Sequence, residues 1–180
     1  MKKWKDWIIW FVVCVGIISQ FVLSLFFFYN WARLDVLLCI GWAVWVPSLV
    51  LGWMPIFIFR RRAGVQKGEG YIQTTVLVDT GLYAVVRHPQ YLAMILLSLA
   101  LILISQHWLV AVIGVAAMVS VYLAMREEDG RLVGKFGDDY KRYMGVVPRA
   151  NVVLCLVRLA RRGARQDNAG GGASNASHVD

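Results

Sequence analysis

Charge is scarce in this sequence and cysteine scarcer. Only 17% of the 180 residues are Asp, Glu, Lys or Arg, below the roughly one quarter usual in soluble domains, which argues against an ordinary hydrated surface around a small core. The three cysteines, Cys14, Cys39 and Cys155, have no paired spacing and two of them lie inside apolar runs. Neither a disulfide framework nor a zinc or other metal site is indicated. No internal repeat is present. Negative charge is the rarer sign, with 11 acidic against 19 basic residues, a formal net charge of +8 and a pI of about 9.7. In a soluble protein such an excess would suggest nucleic acid. Here the basic residues cluster beside apolar runs, so lipid headgroups and membrane topology account for them and no nucleic-acid partner is expected.

Hydrophobic residues, by contrast, make up 59% of the chain and include eight Trp, and the mean hydropathy is +0.59. These values are those of an integral membrane protein. Four apolar segments stand out: 7–29, 36–59, 91–106 and 108–125. The first two have the ~20 residues needed to cross a ~30 Å hydrocarbon core, and the shorter last two form a hairpin around Ser105-Gln106-His107. The first run is longer than a signal peptide's apolar core and no small-x-small cleavage site follows it, so a retained helix is expected. Pro47 and Pro55 remove backbone donors within the second segment and predict a kink there.

Positive residues stay on the cytoplasmic side of short loops. Lys2, Lys3 and Lys5, then Arg60, Arg61, Arg62, Lys67 and Arg87, then Arg126, Arg131, Lys135, Lys141, Arg142 and Arg149 all fall on one face if the chain crosses four times. The linkers on the opposite face hold only Arg33 as a formal cation. The expected fold is therefore an all-α integral membrane bundle of about four transmembrane helices, multi-pass, with both termini cytoplasmic. Residues 1–59 supply two N-terminal helices and 60–150 a core with the helical hairpin and a cytoplasmic pocket. Residues 151–166 mix apolar side chains with Arg158, Arg161, Arg162 and Arg165, as a short interfacial helix would. The Gly/Ala/Asn/Ser-rich tail, 167–180, reads as disordered.

Polar chemistry concentrates in 60–90 and 126–149. In Arg87-His88-Pro89-Gln90-Tyr91, proline suits a first helical position because its missing N–H would be unpaired there anyway. Arg87 and His88 then sit just outside a helix N-terminus, whose free N–H groups seat a carboxylate or phosphate. The alternative is that Arg87 snorkels to headgroups and Tyr91 belongs to an aromatic belt. Arg126-Glu127-Glu128-Asp129 ends the fourth apolar run, where acids at a helix C-terminus oppose the macrodipole and call for a cationic partner. A solvated Glu127–Arg131 pair would also satisfy them. Tyr140 and Tyr143, three apart on one helical face, suit either a groove wall or a helix resting on the membrane. Together these residues describe a polar pocket with an anion seat, an acidic patch and an apolar floor, fitted to a zwitterionic cofactor and an amphiphilic substrate.

The ordered series Thr80-Gly81-Leu82-Tyr83, Arg87-His88-Pro89-Gln90-Tyr91, Glu127-Glu128, Phe136-Gly137-Asp138-Asp139-Tyr140 with Tyr143, and Val147-Pro148-Arg149 resembles the isoprenylcysteine carboxyl methyltransferase and phospholipid methyltransferase superfamily of membrane enzymes. The resemblance spans about residues 76–149 and implies S-adenosylmethionine as methyl donor and a lipophilic acceptor entering from the bilayer. It also implies cofactor contacts from Thr75, Val76, Leu77, Val78, Tyr83, Arg87, His88, Pro89, Gln90, Tyr91 and Tyr140. On the acceptor side it implies Glu128, with Glu127 beside it. Ala124 stands where related enzymes carry an arginine, and Arg126 is the nearest substitute. The acceptor activity implied is carboxyl O-methylation. Alternatives are phospholipid N-methylation, a sterol-reductase-like NADPH oxidoreductase with a similar His-Pro-x-Tyr element, or a non-catalytic membrane module.

Overall fold

The computed structural model describes residues 3–62 and 81–149, so the Thr75–Val78 stretch, the basic 151–166 segment and the tail lie outside the described residues. Among the described residues every regular element is helical. Helix α1 (Lys3–Val22) continues into one π-helical turn (Leu23–Phe27), followed by α2 (Asp35–Arg62), a 3-10 turn (Gly81–Ala84), α3 (Pro89–Ser105), α4 (Trp108–Phe136) and α5 (Asp138–Val146). Three stretches, Asp6–Phe27, Asp35–Met54 and Trp108–Phe136, are long and apolar enough to cross a membrane. Helix α3 has 17 residues, about 26 Å at the helical rise, and is shorter than these.

Small residues set how closely the helices approach. A Cβ built on Gly41 of α2 would lie 2.8 Å from Ile104 Cγ1 and 3.1 Å from the Ala100 carbonyl of α3. Backbone-to-backbone approach at glycine is how apolar helices associate where lipid removes the hydrophobic drive between them. The outer face of α2, with Val36, Val46, Val50 and Trp53 all exposed, is left to lipid. On the other side of α3, Gln20 of α1 is fully buried and its Nε2 donates to the carbonyls of Ser98 and Val110, each at 3.3 Å. Ser24 Oγ donates to the Leu101 carbonyl at 3.0 Å. These bonds tie α1 to α3 and α4.

Helices α1 and α3 run parallel, since Trp10 meets Tyr91 in their first halves while the Asn30 N–H, past the end of α1, donates to the Ile104 carbonyl in the last turn of α3. At that far end Gln106 adopts a left-handed backbone with φ of 57° and closes the hairpin. Its side chain donates to Asn30 Oδ1 and to the Leu34 carbonyl and accepts from the Leu34 N–H. His107 caps α4 through Nδ1, which accepts from the Leu109 N–H, and stacks on Phe28 with ring centroids 3.8 Å apart.

Three expectations from sequence change. Helix α2 passes through Pro47 and Pro55 and reaches Arg62, beyond the 36–59 apolar run. The last turn of the first apolar run widens, with the Phe28 N–H bonding the Leu23 carbonyl five residues back. Most consequentially, α4 does not stop near Met125 but continues to Phe136, where Gly137 ends it at φ 59°, ψ −129°, a conformation only glycine adopts without strain. Glu127, Glu128 and Asp129 are thus well inside the helix, and no macrodipole penalty acts on them. The buried stripe of α4 includes Val110, Gly114, Ala117, Val121, Met125 and Asp129. Its rise places Asp129 about 31 Å from Trp108, one hydrocarbon thickness away.

Candidate functional site

Local rules deliver the first pieces. Pro89 opens α3 and His88 is its N-cap residue, at φ −123° and ψ 70°. The chain just before the helix is held by the Arg87 N–H, which donates to the Pro148 carbonyl. This bond joins the start of α3 to the segment after α5. Arg87 and His88 are both buried.

Their side chains converge on one carboxylate. Asp129 Oδ1 accepts from Arg87 Nη1 at 3.2 Å, His88 Nε2 at 2.8 Å and the Tyr140 hydroxyl at 2.8 Å, while Oδ2 accepts from Arg149 Nε at 2.6 Å. A carboxylate only accepts, so His88 carries a proton on Nε2. Asp129 is 4% exposed, and burying an ion this deeply is tolerated only when its oxygens are paired and hydrogen-bonded. Two guanidiniums against one carboxylate leave the hub with a surplus of one positive charge. Arg87 Nε is buried and has no hydrogen-bond partner. It is a donor left over beside the first turn of α3, where helix geometry leaves the Gln90 and Tyr91 N–H groups without an intrahelical acceptor.

Helix α5 faces the hub rather than the lipid. The Tyr140 and Tyr143 rings lie 5.7 Å apart, Tyr140 bonding Asp129 and the Tyr143 hydroxyl donating to the Tyr83 carbonyl. Burial, then the bond to Asp129 and that residue's charge, pushes the Tyr140 phenol well above its ordinary value, so it remains a donor. Burial alone does the same to Tyr83. Tyr140→Phe removes one of four donors to a buried charge. It is expected to lower stability in detergent by about 1.5–3 kcal/mol, read as a lower midpoint in thermal unfolding. An unchanged midpoint would show that Arg87, His88 and Arg149 satisfy Asp129 without it.

Glu128 and Arg131 lie on a different side of α4 from Asp129. Arg131 Nη2 meets Glu128 at 2.6 Å and Nη1 meets Asp6 of α1 at 3.9 Å. Tyr91 stands between the hub and α1, its ring contacting His88 edge-on at 5.4 Å and Trp10 at 5.8 Å.

Of the residues expected from sequence, Arg87, His88 and Tyr140 share the hub, Pro89 and Tyr91 form the helix start beside it, and Tyr83 supports Tyr143 through its carbonyl. Gln90 and Arg126 are exposed, Glu127 is half-buried, and Glu128 belongs to the Arg131 cluster. The central acid, Asp129, and its partner Arg149 were not among the expected site residues. The signal for Asp129 was available, because it continues the apolar stripe of α4 at four-residue spacing from Val121 and Met125.

Residues 69–133 match the family model described as the isoprenylcysteine carboxyl methyltransferase (ICMT) family. That segment is an ICMT-family segment. Searches of curated proteins and of solved structures found no match. The matched family is one of methyltransferases, and with three apolar helices of spanning length among the described residues the protein is an integral membrane protein. Arg87, His88, Tyr91, Glu128 and Asp129 lie within the ICMT segment, whereas Asp6, Trp10, Tyr140 and Arg149 are supplied from outside it.

Proposed function

We propose that the protein is an S-adenosylmethionine-dependent methyltransferase acting on a lipophilic acceptor, with a carboxylate of the prenylcysteine type as the acceptor group. The observation that carries this reading is the convergence of Arg87, His88, Tyr140 and Arg149 on buried Asp129 at the start of α3. The residues fit a zwitterionic cofactor. Arg87 Nε and the first-turn N–H groups of α3 offer donors to a carboxylate, the hub carries surplus positive charge, and the Asp6–Glu128 side carries two acids for one arginine. In this reading Arg87, His88, Pro89, Gln90 and Tyr91 hold the cofactor, with Tyr83 and Tyr140 behind them. Both ends of the chain face the cytoplasm, with α3 as a fourth crossing.

When bound, S-adenosylmethionine supplies an electrophilic methyl group. A carboxylate acceptor needs no base, so the protein's contribution is alignment and exclusion of water, for which well-oriented reactants gain roughly 7–11 kcal/mol at best. Glu128, engaged by Arg131 at 2.6 Å, is placed to position the acceptor rather than to take a proton from it.

Isothermal titration of the detergent-purified protein with S-adenosylhomocysteine and, separately, NADPH tests the assignment. Binding of the former alone is expected. Binding of NADPH alone would replace it with a reductase, and binding of neither with a non-catalytic module. His88→Ala is expected to weaken S-adenosylhomocysteine binding about tenfold in a protein that still folds, because three donors to Asp129 remain. Unchanged affinity in that variant would move the cofactor away from the hub.

A further inference from the structure

Asp6 and Trp10 are four apart and so share one face of α1, and Glu128 and Arg131 likewise share one face of α4. The two faces are joined by the Arg131–Asp6 pair, and Trp10 on the α1 face contacts the Tyr91 ring. Helix α1 lies wholly outside the ICMT segment, so what it contributes to this corner comes from residues the family match does not cover. The corner is accessible, with the Arg131 and Asp6 side chains 51% and 32% exposed, and the neighbouring Trp7 and Phe11 on α1 present apolar surface beside it.

The two arms of Arg131 are unequally held. Nη2 is bonded to Glu128 at 2.6 Å, a close charge-assisted contact within one helix. Nη1 reaches Asp6 only at 3.9 Å, across helices, with the Arg131 side chain 51% exposed. An ion pair that long and that wet adds little and is easily exchanged. A guanidinium fixed on one arm by its own helix keeps its other arm oriented, which is what recognition of an incoming carboxylate requires.

We propose that Asp6 is a placeholder, an internal carboxylate on Nη1 of Arg131 that an anionic acceptor headgroup displaces when its apolar tail lies along α1 against Trp10 and Tyr91. Arg131 is then the specificity-determining residue for a carboxylate acceptor, with Glu128 positioning it. This rests on the methyltransferase reading but makes a claim about binding alone.

The placeholder predicts a sign that a purely structural ion pair does not. Equilibrium binding of farnesylthioacetic acid, its neutral amide and the matched farnesylthioethylamine would be measured on the full detergent-solubilised chain and its variants. Wild-type protein is expected to prefer the acid. Asp6→Asn removes the competitor and should tighten acid binding about two- to fivefold. Arg131→Gln should weaken it about tenfold or more, and Arg131→Lys should restore only part, keeping charge but losing the fork. Thermal midpoints near wild type identify variants that fold. The inference is overturned if Asp6→Asn weakens acid binding, if Arg131→Gln leaves it unchanged, or if the wild type prefers the amine, which would make the corner a cation site. Loss of S-adenosylhomocysteine binding by wild-type protein would sink the methyltransferase reading while leaving these signs intact.

Discussion

Asp129→Ala is expected to destabilise the protein by about 3–5 kcal/mol, the usual cost of removing one partner from a buried ion pair, and to abolish S-adenosylhomocysteine binding along with it. Asp129 gathers three separate pieces of chain: the start of α3 through Arg87 and His88, α5 through Tyr140, and the segment after α5 through Arg149. Without the carboxylate, the Arg87 guanidinium, its side chain 7% exposed, is left as an uncompensated buried charge beside that of Arg149. Much of the cost is therefore repulsion and desolvation rather than lost bonds. Two comparisons separate these contributions. Asp129→Asn keeps the shape and one acceptor but not the charge, and should fall between wild type and alanine. Adding Arg149→Met to Asp129→Ala should recover part of the loss, since Arg149 is near the surface and its removal relieves the repulsion. Thermal unfolding in detergent reads all three, and a midpoint for Asp129→Ala equal to wild type would show that the hub does not hold these segments.

The hub also shows where sequence reasoning succeeds and where it stops. Pro89 at a helix start, the Gln106–His107 hairpin and the apolar stretches were legible because local rules dictate them: a missing donor, a break between apolar runs, a length of hydrocarbon. Arg87 and His88 could be placed beside a helix N-terminus for the same reason. Which acid they meet is a matter of phase along α4. Once that helix is extended past Met125, Asp129 falls on the buried face and Glu128 about 100° away from it, a distinction that reading the acids as a helix-end cluster erased. The Arg131–Asp6 contact lies further from view, since it joins residues on separate helices and depends on how α1 packs against α4. The placement of α1 follows in turn from Gln20, whose long-range bonds to Ser98 and Val110 have no short-range signature.

Packing of α2 supplies the second large effect. Gly41→Val is expected to destabilise the protein by about 1–3 kcal/mol, and the reason lies in what the new side chain would strike. Its Cβ would fall 3.0 Å from the Ile104 nitrogen and 3.1 Å from the Ala100 carbonyl, both backbone atoms of α3, as well as 2.8 Å from Ile104 Cγ1. Backbone cannot rotate away, so α2 must withdraw. Gly114→Ala provides the control. There the nominal clash is closer, 2.2 Å from Gln20 Nε2 and 2.8 Å from Ile102 Cδ1, but both are ends of flexible side chains. The shorter distance should therefore give the smaller loss, mainly that of the Gln20 bonds. Withdrawal of α2 would also reach the site, because Leu51 of α2 packs against the buried cluster of Val85 and Val86, just before Arg87, and Leu92, one turn after His88. Gly41→Val should accordingly weaken S-adenosylhomocysteine binding although Gly41 lies near the opposite end of α3 from His88. A Gly41→Val protein that melts earlier yet binds at wild-type affinity would mean that the hub keeps its geometry without α2 beneath it.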